Sequence, residues 1–172
     1  NIGFFSRIVR GRPWVRLKVA VSLAGRTALN NGVSQWITGP AARTDGHAWR
    51  RRASAVLTGV GTVHDDDPRL DVRLVDTPRQ PLRVVVDSRL ELPLDARILD
   101  GGNVLIAAAV DDAERAAALR DRGADVVVLP NASGKVELAD LARELGRREL
   151  NEVHVEAGFK LPEPFAVKAD DG

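Results

Sequence analysis

Six short strand-like runs, most of them separated by a helix-forming stretch, constrain this chain more than any other feature. In the first, residues 15–23, Val15, Leu17, Val19, Val21 and Leu23 recur at period two while Arg16, Lys18, Ala20 and Ser22 take the other face. That pattern predicts a strand with one buried side, with Lys18 on the less apolar face. The second run is 53–57, and those at 82–86, 104–110 and 126–129 are largely apolar, Arg83 being the one charged residue in them, as strands buried on both faces are. A sixth strand is expected at 152–156. Helices fit between them: one at 40–52 with Thr38 as its cap, one opened by Asp111 or Asp112 and stopped by Gly123, and one at 138–148. Such alternation predicts an α/β fold, a mostly parallel sheet with helices on both faces.

A parallel sheet places ligands outside the carboxyl ends of its strands, and the unusual residues of this chain fall there. Ser22 to Arg26 follow the first strand, Asp87 and Ser88 the third, and Glu156 to Gly158 the last. The second is followed by TGVGTVHDDDPRL, residues 58–70, which reads as a glycine turn and then three aspartates closed by Pro68. Asp65 to Asp67 suit a short helix cap as well as a ligand site. TGVGTV lacks the GxGxxG spacing of a dinucleotide-binding βαβ unit.

Charge and cysteine content narrow the chemistry. Lys and Arg number 25 against 24 Asp and Glu, so no net field recruits nucleic acid or an anionic membrane. A small-molecule substrate is the expected partner. No apolar run reaches the roughly 20 residues of a bilayer span, and the expected location is cytoplasmic. The chain has no cysteine, and His47, His64 and His154 show no metal-ligand spacing, so a zinc or thiol enzyme is not expected and no metal is assigned.

Five ordered motifs, NIGFFSRIVRGRPWVRLKVAVSLAGRTAL, GVSQWITGPAAR, AVLTGVGTVHDDDPRLDVR, QPLRVVVDS and EVHVEAG, resemble the reductase half of the bifunctional riboflavin-biosynthesis deaminase/reductase. The resemblance implies a dihydrofolate-reductase-like fold and NADPH-dependent reduction of 5-amino-6-(5-phosphoribosylamino)uracil to its ribitylamino counterpart. It also implies substrate contacts from Ser34, Arg50, Leu70, Arg73 and Glu156, and cofactor contacts from Ala20, Trp36, Thr62, Asp66, Ser88 and Gly158. Arginine suits a ribose phosphate because its guanidinium donates two parallel hydrogen bonds. Lys18 is added, from its place on the first strand, as a candidate for polarising the reacting centre or donating a proton.

Each residue has a plainer role open to it. Trp36 between a strand and a helix suits packing, Arg50 belongs to the run Arg50–Arg51–Arg52 that complements a helix C-terminus, and Thr62 and Ser34 suit turns. Two departures from the family pattern stand out. Ala24 in SLAGR replaces an aspartate, which is expected to lower turnover, and FKLPEPFAVKADDG replaces the glycine-rich cofactor loop and the C-terminal strands. The expected organisation is an interdomain linker remnant at 1–12, an incomplete, C-terminally truncated reductase domain at 13–161 and a frayed tail at 162–172, with a homodimer as the assembly considered. Two alternatives stay open beside the reductase: a non-catalytic nucleotide- or phosphate-binding remnant, and a reductase of the non-deaminated diaminopyrimidinone.

Overall fold

Every strand pair is parallel in the computed structural model, which describes residues 1–18 and 39–156. The strands are β1 (Trp14–Lys18), β2 (Ala55–Gly59), β3 (Leu82–Val86), β4 (Val104–Ala108), β5 (Ala124–Val128) and β6 (Glu152–Glu156). They lie in the order β1-β6-β2-β3-β4-β5, so the last strand inserts between the first two. Parallel neighbours cannot be joined by a tight turn, and helices supply several of the crossovers. Around the sheet lie α1 (Ile2–Arg10), α2 (Pro40–Arg52), α3 (Val60–Asp66), α4 (Ala113–Asp121) and α5 (Leu138–Arg147), with a 3-10 turn at Arg97–Leu99.

The sheet is buried on both faces. One core joins Val56, Val85 and Ile106 to Val63 of α3 and Leu119 of α4. The other joins Leu57, Val84, Leu105 and Val155 to Leu141 and Leu145 of α5. Each such side chain stabilises the fold by about 1.5–3 kcal/mol on burial. The first core stops at β2. On β6 and β1 the same face carries Glu152, His154, Glu156, Arg16 and Lys18, which leaves a polar field where a core would otherwise continue.

Local chemistry moved several expected boundaries. The second strand starts at Ala55 because Ala53 ends α2, its N–H donating to Arg50 and Trp49, and Ser54 leads in with its Oγ accepting from Asn151 and Glu152 N–H. The fourth strand ends at Ala108, where Ala109 N–H turns to the Ser88 carbonyl at 3.0 Å. The fifth runs Ala124–Val128, its first residue directly after Gly123 (φ 82°). Asp112 caps α4 by accepting from Arg115 N–H, while Arg148, placed inside the last helix by its sequence, is the C-cap of α5. At α2 the cap position is Gly39, with no side-chain capping bond; Thr38 lies outside the described residues, as does the expected continuation of β1 to residue 23.

One correction matters more. TGVGTVHDD is not a glycine turn: Gly59 is in extended backbone (φ −98°) and 60–66 close into α3, with Asp67 as the left-handed C-cap (φ 39°). The stretch expected as linker contains a helix, α1, opened by Asn1 and closed by Gly11 in the left-handed region (φ 66°).

Candidate active site

The site begins with strand pairing. β1 and β6 run in register so that Arg16 faces His154 and Lys18 faces Glu156 across the ladder. Period-two alternation then puts these four side chains, with Glu152, on one face of the sheet. Helix α2 lies over that face. It forms from Pro40 at its first turn, which is preset for helix, to Arg50, Arg51 and Arg52, whose positive charge complements the C-terminal dipole.

Arg50 uses its position to reach down. Its Nε and Nη2 donate to Glu156 Oε1 and Oε2 at 2.5 and 2.9 Å, a bidentate pair with 14% and 12% of the two side chains exposed. Its Nη1 donates to the Asp71 carbonyl at 3.1 Å, which ties the segment after α3 to the same group. Lys18 Nζ stands 3.8 Å from Glu156 Oε2 and His154 Nε2 3.6 Å from Oε1. At the other end of the field Arg16 donates to Glu152 at 3.1 Å and stacks its guanidinium 4.1 Å from the Trp49 ring.

These contacts set charge states. Burial pushes the Glu156 carboxyl up, but the Arg50 fork, Arg50's charge and Lys18 outweigh it, and the net direction is down. Glu156 is therefore an ionised, buried acceptor. Burial lowers His154, with Arg50, Lys18 and Arg16 adding to the effect against Glu156, so its ring is neutral. Both of its nitrogens lack a hydrogen-bond partner among the described residues. His47 is pushed down to about 4, first by burial and then by Arg50 and Arg73, and its Nδ1 accepts from Arg73 N–H at 3.2 Å.

Lys18, Arg50 and Glu156, far apart in sequence, thus form one cluster at the carboxyl ends of β1 and β6. Arg73 stands at its rim, half-exposed, with Nη1 on Asp71 Oδ1 at 2.5 Å. Leu70 is different: its side chain is 3% exposed in the core and its φ of 52° is left-handed, so what it can offer a ligand is backbone. Thr62 and Asp66 lie on α3 beside the carboxyl end of β2. Ser88 follows β3, its Oγ accepting from Val136 N–H at 3.2 Å. Ala20, Ser34, Trp36 and Gly158 lie outside the described residues, as does Ala24.

Sequence reasoning missed His47, Asp71 and His154. The only signal for His154 is that EVHVE alternates, which puts Glu152, His154 and Glu156 on one face. Nothing local says that this face meets Arg16 and Lys18.

The parallel sheet, with its polar cluster at the strand ends, defines an α/β domain of the dihydrofolate-reductase-like class. Solved structures of that kind superpose closely. Acinetobacter baumannii RibD (form 2) matches with a TM-score of 0.76 and 36% identity over 92% of this chain and 43% of that one. The diaminohydroxyphosphoribosylaminopyrimidine deaminase/5-amino-6-(5-phosphoribosylamino)uracil reductase of Thermotoga maritima matches with a TM-score of 0.74 and 31% identity, over 91% and 42%. Among curated proteins, the riboflavin biosynthesis protein RibD of Aquifex aeolicus is 38% identical over 92% of this chain. The chain belongs to the RibD C-terminal domain family, whose match covers residues 13–168. It spans 44% of the length of the Aquifex relative and 43% of that from Chlamydia muridarum, to which it is 43% identical.

Proposed function

We propose that this chain is an NADPH-dependent reductase domain acting on 5-amino-6-(5-phosphoribosylamino)uracil, converting its ribosyl group to ribityl in riboflavin biosynthesis. The observation that carries the reading is the ionised Glu156 held in the Arg50 fork beside Lys18 at the carboxyl ends of adjacent parallel strands. An oriented buried carboxylate accepts hydrogen bonds from a polyhydroxylated substrate without reorganising, while Arg73 at the exposed rim suits the phosphate.

The residues present fit a nicotinamide dinucleotide. At the carboxyl ends of the neighbouring strands β2 and β3, Thr58 Oγ1 and Asp87 Oδ1 are buried without a hydrogen-bond partner among the described residues. Thr62, Asp66 and Ser88 flank those ends and would hold the cofactor, joined by Ala20, Trp36 and Gly158. When bound, the cofactor supplies the hydride. The chain does the rest. Glu156 and Arg73 orient the sugar, and Lys18 Nζ donates the proton to the ring-opened ribosylamine nitrogen as its C=N bond is reduced.

The test follows NADPH absorbance on adding freshly made substrate, with the non-deaminated pyrimidine run in parallel. Oxidation is expected, with the deaminated pyrimidine preferred. Arg50→Ala should raise KM for the substrate about tenfold or more, since a lost charge-assisted hydrogen bond costs about 1.5–3 kcal/mol, and leave NADPH affinity within about twofold. An equal loss for both ligands would remove Arg50 from the substrate site. NADPH binding without oxidation would favour the non-catalytic reading.

A further inference from the structure

A second polar cleft opens on the same face of the sheet as the candidate site, but toward the amino-terminal ends of β3 and β4. Its volume is about 330 Å³, and Arg69, Arg83, Arg97, Asp71 and Asp100 line it. Each of its two carboxylates already has an arginine partner: Asp100 pairs with Arg69 within the cleft at 3.4 Å, and Asp71 with Arg73 outside it at 2.5 Å. Arg83 and Arg97 are left with no carboxylate in ion-pair contact among the described residues.

Arg83 is the unusual one. It is 7% exposed, it is the second residue of β3 on the face that Val85 gives to the core, and its Nη2 donates to the Gly102 carbonyl. A guanidinium has five N–H donors in a fixed fork, and a buried cation costs several kcal/mol unless an anion or further acceptors compensate it. Burial accordingly lowers the group's affinity for its proton, against the pull of Asp71 and Asp100. The cleft is the side from which that compensation can come. Its frame is already braced, since Gln80 donates to and accepts from the Val72 backbone at 2.9 and 2.8 Å and Asn103 donates to the Pro81 carbonyl at 3.1 Å.

We propose that this cleft binds a small phosphate dianion, free or as the monoester of a polar metabolite, between Arg83 and Arg97. Two guanidinium forks facing one anion give the bidentate geometry that phosphate favours. The site is separate from the reductase reading and stands without it, although Asp71 joins the two: it lines the cleft, and its carbonyl accepts from Arg50 Nη1.

Inorganic phosphate and ribose 5-phosphate are titrated into the protein at fixed ionic strength, set with sodium chloride, and the backbone amide resonances of Gly101, Gly102 and Asn103 are followed by NMR. Saturable shifts are expected in the wild type and in Arg50→Ala. They should weaken about tenfold or more in Arg97→Glu, whose side chain is exposed, and in the milder Arg97→Gln, the equivalent of about one lost charge-assisted hydrogen bond. Tighter binding of the ester assigns the cleft to a phosphorylated metabolite; equal or weaker binding assigns it to the free ion. Shifts that never saturate, or that survive both Arg97 substitutions unchanged, overturn the proposal.

Discussion

Glu156 stays charged inside the protein because cations surround it, and burial, joined by nearby cations, makes its two neighbouring histidines poor bases. Arg50 and Arg73 act with burial on His47, while Arg50, Lys18 and Arg16 act with burial on His154. The sign of the consequence follows from proton counting. A histidine of ordinary pKa 6.5 that is held near 4 when folded binds more protons unfolded than folded between those values, so acid favours the unfolded chain. Stability is thus expected to fall as the pH drops from about 6.5 toward about 4. Glu156 is lowered from 4.5, so its own contribution is lost only below that, and the window above 4.5 belongs to the histidines. His47→Asn keeps an acceptor near Arg73 N–H and cannot be protonated there. Urea midpoints between pH 4.5 and 6.5 should therefore depend less on pH in this variant than in the wild type. An unchanged slope would assign the acid sensitivity to His154 alone.

Helix α1 shows how little an element's packing need resemble its apolar pattern. Ile2, Phe5, Ile8 and Val9 are exposed, while the buried positions are Gly3 and Ser6. Ser6 Oγ donates to the Arg12 carbonyl at 2.9 Å and Arg7 Nε to Asn151 Oδ1 at 2.8 Å. Its sequence hides these contacts: apart from that of Arg7 they run through backbone and small residues, which carry no hydrophobic signal. The closest approach lies just beyond the helix. A Cβ on Gly146 of α5 would stand 2.2 Å from the Gly11 carbonyl oxygen and 3.2 Å from Arg12 Cα, all backbone. Gly146→Ala would gain up to about 1 kcal/mol in helix propensity, but overpacking of this kind costs about 1–3 kcal/mol and backbone cannot rotate away. We expect a net loss of about 1–2 kcal/mol, or roughly 2–8 °C in Tm for a chain of this length. A Tm equal to or above the wild-type value would show that α5 shifts to accommodate the methyl group.

Across the whole molecule, the alternation of strands and helices was readable because each crossover leaves its own local signature: buried apolar runs, Asp112 as cap, Gly123 as stop. The strand order was not readable, since the insertion of β6 between β1 and β2 joins residues 136 apart, as Arg16 and Glu152 are. The site shared that fate, because Lys18, Arg50 and Glu156 meet only through this pairing; the family resemblance named Arg50 and Glu156 without it, and Lys18 came from its face of the first strand. The insertion also divides the sheet energetically. β3 and β4 have apolar cores on both faces, with Val84, Val85, Leu105 and Ile106 all at 0% exposure. β1 lies at one edge among the described residues, and Leu17 and Lys18 at its end are exposed. One face of β1 and β6 is held by ion pairs, which contribute less than apolar burial because desolvation offsets their attraction. Native-state hydrogen exchange should then separate the two halves. Amides of β3 and β4 are expected to exchange only through global unfolding, with a denaturant dependence equal to that of equilibrium unfolding. Amides of β1 that donate to β6 should exchange faster through local opening, with a shallower dependence. Equal protection in β1 and β3 would mean that the charged field anchors the edge strand as firmly as the core anchors the centre.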